Sequence, residues 1–83
     1  MKQQTLTKSE MLVMNVLWEM QRGVSVNDIL EHYPEPKPAY TTIATFLKVL
    51  TYKGFVEHKN GQGKQYIYTP LITKEKYLRE IDN

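Results

Sequence analysis

The chain has 83 residues, so one small domain is the expectation, with room for a few short helices and a hairpin and none for a deep enzyme cleft. Apolar residues make up 41% and charged residues 24%, a globular balance and not a disordered one. The absence of cysteine excludes disulfides and thiolate metal sites. No apolar run approaches the length of a membrane span, and Met1 to Thr5 lead into nothing like a secretion signal. A cytoplasmic protein with no membrane partner is therefore expected. The net charge of +2 is too small to point to nucleic acid alone, but Lys48, Lys53, Lys59 and Lys64 all fall in the second half of the chain.

A first helix is predicted from Thr7, because Thr7-Lys8-Ser9-Glu10 has the form of a capping box. Met11, Val13, Met14, Leu17, Trp18 and Met20 then recur at three- and four-residue spacing, which suits a broadly buried face. Gly23 is expected to stop this helix in a left-handed conformation. Ser25-Val26-Asn27-Asp28 opens a short second helix with Ile29 and Leu30 in the core, and Pro34, Pro36 and Pro38 close it with a stiff connector. A third helix is predicted over residues 39–53, where Ile43, Phe46, Leu47 and Leu50 lie at i, i+3, i+4, i+7. Ala39 offers its start no side-chain cap, and Gly54 ends it.

Residues 55–59 and 65–69 read as strands joined by the turn Asn60-Gly61-Gln62-Gly63, with Tyr66 and Tyr68 on one face and Ile67 on the other. Thr73 is placed to cap a last helix from Lys74 to Ile81. A two-stranded hairpin is unstable alone and must pack on the helices. The expected fold is mainly α with a small β-hairpin, in winged helix-turn-helix layout: a three-helix core, a two- or three-stranded wing and a C-terminal helix. In that layout the third helix enters the major groove of DNA.

The surface of the third helix carries the functional argument. Opposite its apolar face lies a stripe of Thr41, Thr45, Lys48 and Tyr52, with Ala44 and Val49 on the flanks and Thr42 at the margin. Small polar side chains let a helix sit close to base edges, and threonine offers both a hydroxyl and a methyl group. Ordinary solvent-facing helices carry more Glu, Gln and Lys, whereas no acidic residue occurs from Pro36 to Val56. At the hairpin tip, Lys59 and Lys64 flank a turn containing Gln62, a suitable arrangement for phosphate contact, and Tyr40 is placed to reach a phosphate as well. The only histidines are His32 and His58, with no partners at metal-ligand spacing, and no catalytic motif is present. Neither an enzyme, a cofactor nor a metal site is expected. The alternative to DNA binding is a winged-helix module that binds protein, which the small net charge permits.

Three segments resemble the penicillinase-repressor family of winged-helix transcriptional repressors: Met11-Leu12-Val13-Met14-Asn15-Val16-Leu17-Trp18, Thr42-Ile43-Ala44-Thr45-Phe46-Leu47-Lys48-Val49-Leu50 with Lys53-Gly54-Phe55-Val56, and Gly63-Lys64-Gln65-Tyr66-Ile67-Tyr68-Thr69-Pro70. The resemblance implies a homodimer on a palindromic double-stranded DNA operator. It implies base contacts from Thr41, Thr42, Ala44 and Thr45, with Tyr40, Lys48, Lys59 and Lys64 nearer phosphate. It also divides the chain into a DNA-binding domain over residues 1–72 and, over 73–83, the start of a C-terminal helix of the dimerising type. In a longer parent, a sensor protease would act on that dimerising region. The chain departs from the family pattern at Val49, where arginine is common, and at Ala44, where some members place a long polar residue. It lacks the C-terminal cysteines of copper-responsive members, so no metal sensing is expected.

Overall fold

The computed structural model describes residues 5–61, 63 and 65–81. Four helices and one hairpin follow each other as α1 (Lys8–Met20), α2 (Val26–His32), α3 (Tyr40–Lys53), β1 (Val56–Asn60), β2 (Tyr66–Pro70) and α4 (Lys74–Ile81). Both predicted capping boxes form. The Thr7 hydroxyl accepts from the Glu10 backbone N–H and the Glu10 carboxylate accepts from that of Thr7; Ser25 and Asp28 exchange the same two bonds. The Ser25 backbone N–H holds the Asp28 carboxyl below its usual range, with Arg22 adding to the effect and partial burial opposing it. α3 has no side-chain cap, as Ala39 dictates, and Gly54 ends it at φ 87°. Thr73 receives the Lys76 backbone N–H and so starts α4.

The end of α1 differs from the sequence expectation. The left-handed residue is Gln21, at φ 56°, and its N–H donates to the Leu17 carbonyl. Gly23 has a different duty. A Cβ there would collide with the Cγ2 of Ile67, so glycine is what lets the hairpin lie against the α1–α2 connection. Immediately after it, Val24 and Tyr68 exchange two backbone hydrogen bonds of 3.0 and 2.8 Å. This isolated bridge stands where a third strand of the wing would be.

β1 and β2 pair antiparallel, with Val56 opposite Pro70, His58 opposite Tyr68 and Asn60 opposite Tyr66. Each strand begins one residue later than the alternation suggests. Phe55 is fully buried, and its backbone is already engaged: its N–H bonds Leu50 O and its carbonyl accepts from Leu71. The Gln65 carbonyl instead closes the turn by accepting from Gly61.

The core is built from Val13, Met14 and Leu17 of α1, Ile29 of α2, and Ile43, Leu47 and Leu50 of α3, all fully buried, together with Val24, Phe55 and Val56. Phe46 only packs on the edge of this cluster. α4 is docked through Tyr77, whose ring lies 6.1 Å from that of Trp18 and 5.7 Å from that of Phe55, and whose hydroxyl accepts from Leu6 N–H. Trp18 in turn donates its indole N–H to the Ile72 carbonyl. Ile72 and Tyr77 are therefore spent inside the domain, while Leu71 and Leu78 remain exposed. The connector after α2 is held by Lys37, whose ammonium donates to the carbonyls of Leu30 and Glu31 at the end of that helix.

Lys53 does not join the other lysines of the second half. Its ammonium lies 2.8 Å from Oε1 of Glu10, and the Glu10 side chain is only 6% exposed. Burial alone would raise the Glu10 carboxyl; the hydrogen bond and charge of Lys53, with the bond from the Thr7 backbone N–H, overcome this and hold it below the usual carboxylate range. A depressed native value means that the unfolded chain binds the proton first as pH falls. The stabilisation from this group is thus present above the ordinary carboxylate range and is lost as pH drops through the lowered native value. Replacing Glu10 by Gln keeps an acceptor oxygen but removes the counter-charge of Lys53, at a cost of about 3 kcal/mol near neutrality. Urea unfolding of both proteins at neutral and acidic pH checks this, with the gap between them narrowing on acidification.

Candidate nucleic-acid interface

α3 divides its residues between two duties. Ile43, Leu47 and Leu50 hold it to the core, and Thr41, Thr42, Thr45, Lys48 and Tyr52 stand in solvent on the other side. No side chain from another element among the described residues hydrogen-bonds to any of these five. Thr45 donates its hydroxyl proton to the Thr41 carbonyl one turn back, at 2.9 Å, so that its free functions are an oxygen lone pair and a methyl group. Tyr40, at the first turn, is half exposed. Ala44 is half-buried beside this stripe, on the side that meets the hairpin. The stripe contains no carboxylate, and Lys48 gives it a positive charge.

The hairpin lies alongside. Strand alternation puts His58, Tyr66 and Tyr68 on one face, where the rings of His58 and Tyr66 are 4.8 Å apart and those of Tyr66 and Tyr68 6.5 Å apart, both edge to face. Tyr68 is buried against the helices, whereas Tyr66 is half exposed. Burial raises the Tyr68 phenol above the ordinary tyrosine range, and the neighbouring Tyr40 and Tyr66 push it further in the same direction. Lys59 is exposed on the opposite face, paired with Ile67. Gln62 and Lys64, the other two residues expected at the tip, lie outside the described residues.

The sequence reading thus finds the six α3 positions together on one side of one helix, with Lys59 on the neighbouring hairpin. It assigned no part in the site to His58, which is exposed on β1. The signal was available in the register: once Tyr68 faces the helices, its partner His58 must share that face. His32 has an ordinary local role, with Nδ1 3.0 Å from the Asp28 carbonyl oxygen at the end of α2.

Three helices followed by a hairpin that packs beside the third define a winged helix-turn-helix domain. The sequence model of the penicillinase repressor family matches residues 6–81, and the chain belongs to that family. Among solved structures, it is similar to the monomeric form of BlaI from Bacillus licheniformis, determined in solution in complex with the blaP half-operator. The two share 27% identity and a TM-score of 0.71, over 92% of this chain and 92% of that one. No curated protein sequence matches the chain significantly.

The raised Tyr68 phenol makes a check on the packing of hairpin against helix. In an alkaline titration followed by tyrosine absorbance, Tyr68 is expected to ionise above the ordinary tyrosine range. The Tyr68→Phe protein should lack that late step.

Proposed function

We propose that this protein is a sequence-specific DNA-binding transcriptional repressor that acts in the cytoplasm, with α3 in the major groove and the β1–β2 turn on the sugar-phosphate backbone. The observation that carries this reading is the solvent-facing stripe of α3: small, polar, free of carboxylates and unused by the fold. Membership of a repressor family supports it, as does the likeness to a protein solved on its half-operator. Thr41, Thr42, Ala44 and Thr45 meet base edges in this reading, while Tyr40, Lys48, Lys59, Gln62 and Lys64 meet phosphates.

Thr45 has a more definite part. In the free protein its proton goes to the Thr41 carbonyl, which leaves the hydroxyl oxygen as an acceptor and the methyl group outward. It selects a thymine methyl, or a base amino group that can donate to the hydroxyl oxygen. Residues 1–72 form the DNA-binding unit and residues 73–83 begin a dimerising segment. Among the described residues, Leu71 and Leu78 are exposed apolar side chains near and on α4 and are available to a second copy on a palindromic operator.

Fluorescence anisotropy with duplex DNA from upstream of the gene, beside a scrambled duplex, tests the assignment. Thr45→Glu places a carboxylate against the groove and should weaken the native duplex by at least about tenfold. Lys48→Ala should weaken both duplexes and lower the log–log salt slope by about one. Unchanged affinity in the Thr45 variant overturns the assignment of α3. Absence of binding even at low salt favours a protein-binding module instead.

A further inference from the structure

The threonine stripe leaves an adjoining feature unexplained. Between the C-terminal half of α3 and the tyrosine face of the hairpin runs a groove of about 490 Å³. That volume lies within the range of roughly 300–1,000 Å³ typical of small-molecule sites. Ala44 and the buried Tyr68 form its deep part, and Tyr52, His58, Tyr66 and Lys48 its rim. Ala44, whose side chain is a single methyl, lines it on the helix side and leaves it room. Among the residues lining it, Lys48 carries the one full charge and none is acidic.

The aromatic groups are not packed as a closed core. Tyr52 is 90% exposed and Tyr66 50%, yet the His58 and Tyr66 rings already hold each other edge to face at 4.8 Å. A flat ring can add to this arrangement by an offset or edge contact without rearranging it. The single ammonium at the rim suits one delocalised negative charge. A phosphate dianion calls for more than one cation, and Lys48 carries the one full positive charge of this lining.

We propose that this groove is a binding site for a planar aromatic carboxylate, held with its ring among Tyr52, His58 and Tyr66 and its carboxylate on the Lys48 ammonium. Ala44 and Lys48 also belong to the surface assigned to DNA, so an occupied groove and a bound duplex exclude each other. That second step rests on the proposed function; the binding itself does not.

The test is a titration of the whole chain with 2-naphthoate, followed by backbone and aromatic NMR shifts. Neutral 2-naphthylmethanol and non-planar cyclohexanecarboxylate serve as controls. Saturable shifts are expected at Ala44, Lys48, His58 and Tyr66. Tyr66→Ala should weaken naphthoate about tenfold. Lys48→Ala should weaken it about threefold and leave the alcohol unaffected. Both positions are solvent-exposed, and unchanged circular dichroism verifies that the variants fold.

No saturable shift, shifts mapping elsewhere, or equal binding of cyclohexanecarboxylate overturns the site. Saturating naphthoate should then raise the apparent Kd for the upstream duplex. A duplex that binds normally and ignores naphthoate overturns the exclusion. A duplex that fails to bind even without naphthoate refutes the repressor reading, and the groove is then decided by the titration alone.

Discussion

One oxygen of Glu10 joins the beginning of α1 to the end of α3. Oε1 accepts from the Thr7 backbone N–H at 3.0 Å and from the Lys53 ammonium at 2.8 Å. The first bond closes the capping box, and the second fixes the last turn of α3 across the domain. Such a buried carboxylate is costly unless it is both paired and hydrogen-bonded, and here it is both. The direction of α3 follows from this contact together with the apolar face below it. Ile43, Leu47 and Leu50 anchor the helix along its length, and Lys53 stops its C-terminal end from swinging.

The hairpin is placed by a separate constraint. Two backbone bonds between Val24 and Tyr68 tie β2 to the segment between α1 and α2, and Gly23 gives the room for that approach. Tyr68 then has its backbone on Val24 and its ring turned toward the helices. Its strand partner His58 and its neighbour Tyr66 are carried to the same face. The relative position of wing and α3, on which the proposed interface depends, thus comes from that bridge, that glycine and the burial of Phe55 and Val56 at the start of β1, rather than from the hairpin's own stability.

These two constraints also explain what could be read from the residues alone. The helix starts at Thr7, Ser25 and Thr73 were legible because caps are local: the hydroxyl and the backbone group that it binds lie within three residues. The face of α3 was legible because helical periodicity is local too. The pairing of Lys53 with Glu10 spans 43 residues, and no spacing rule reveals it, so Lys53 was grouped with the lysines around the interface. Gly23 was read as a helix stop for the same reason, since the demand for a missing Cβ comes from Ile67, far along the chain. The exposed stripe was recovered by elimination: positions that the core does not need are the ones left for a partner.

That elimination has a physical consequence for how such a domain can change its target. Thr41, Thr42, Thr45 and Lys48 bury nothing in the core and, among the described residues, bond no side chain of another element, so substitution there alters the surface presented at little expense in stability. Ala44 is different, because it stands at the junction of stripe, groove and hairpin. A longer side chain at that position must either extend into the space beside Tyr66 and Tyr68 or turn outward onto the stripe. In the first case it fills the groove, and in the second it changes the surface that α3 presents. The choice of alanine therefore couples the two surfaces: it keeps the helix face shallow and, by the same absent atoms, leaves the aromatic groove open beside it.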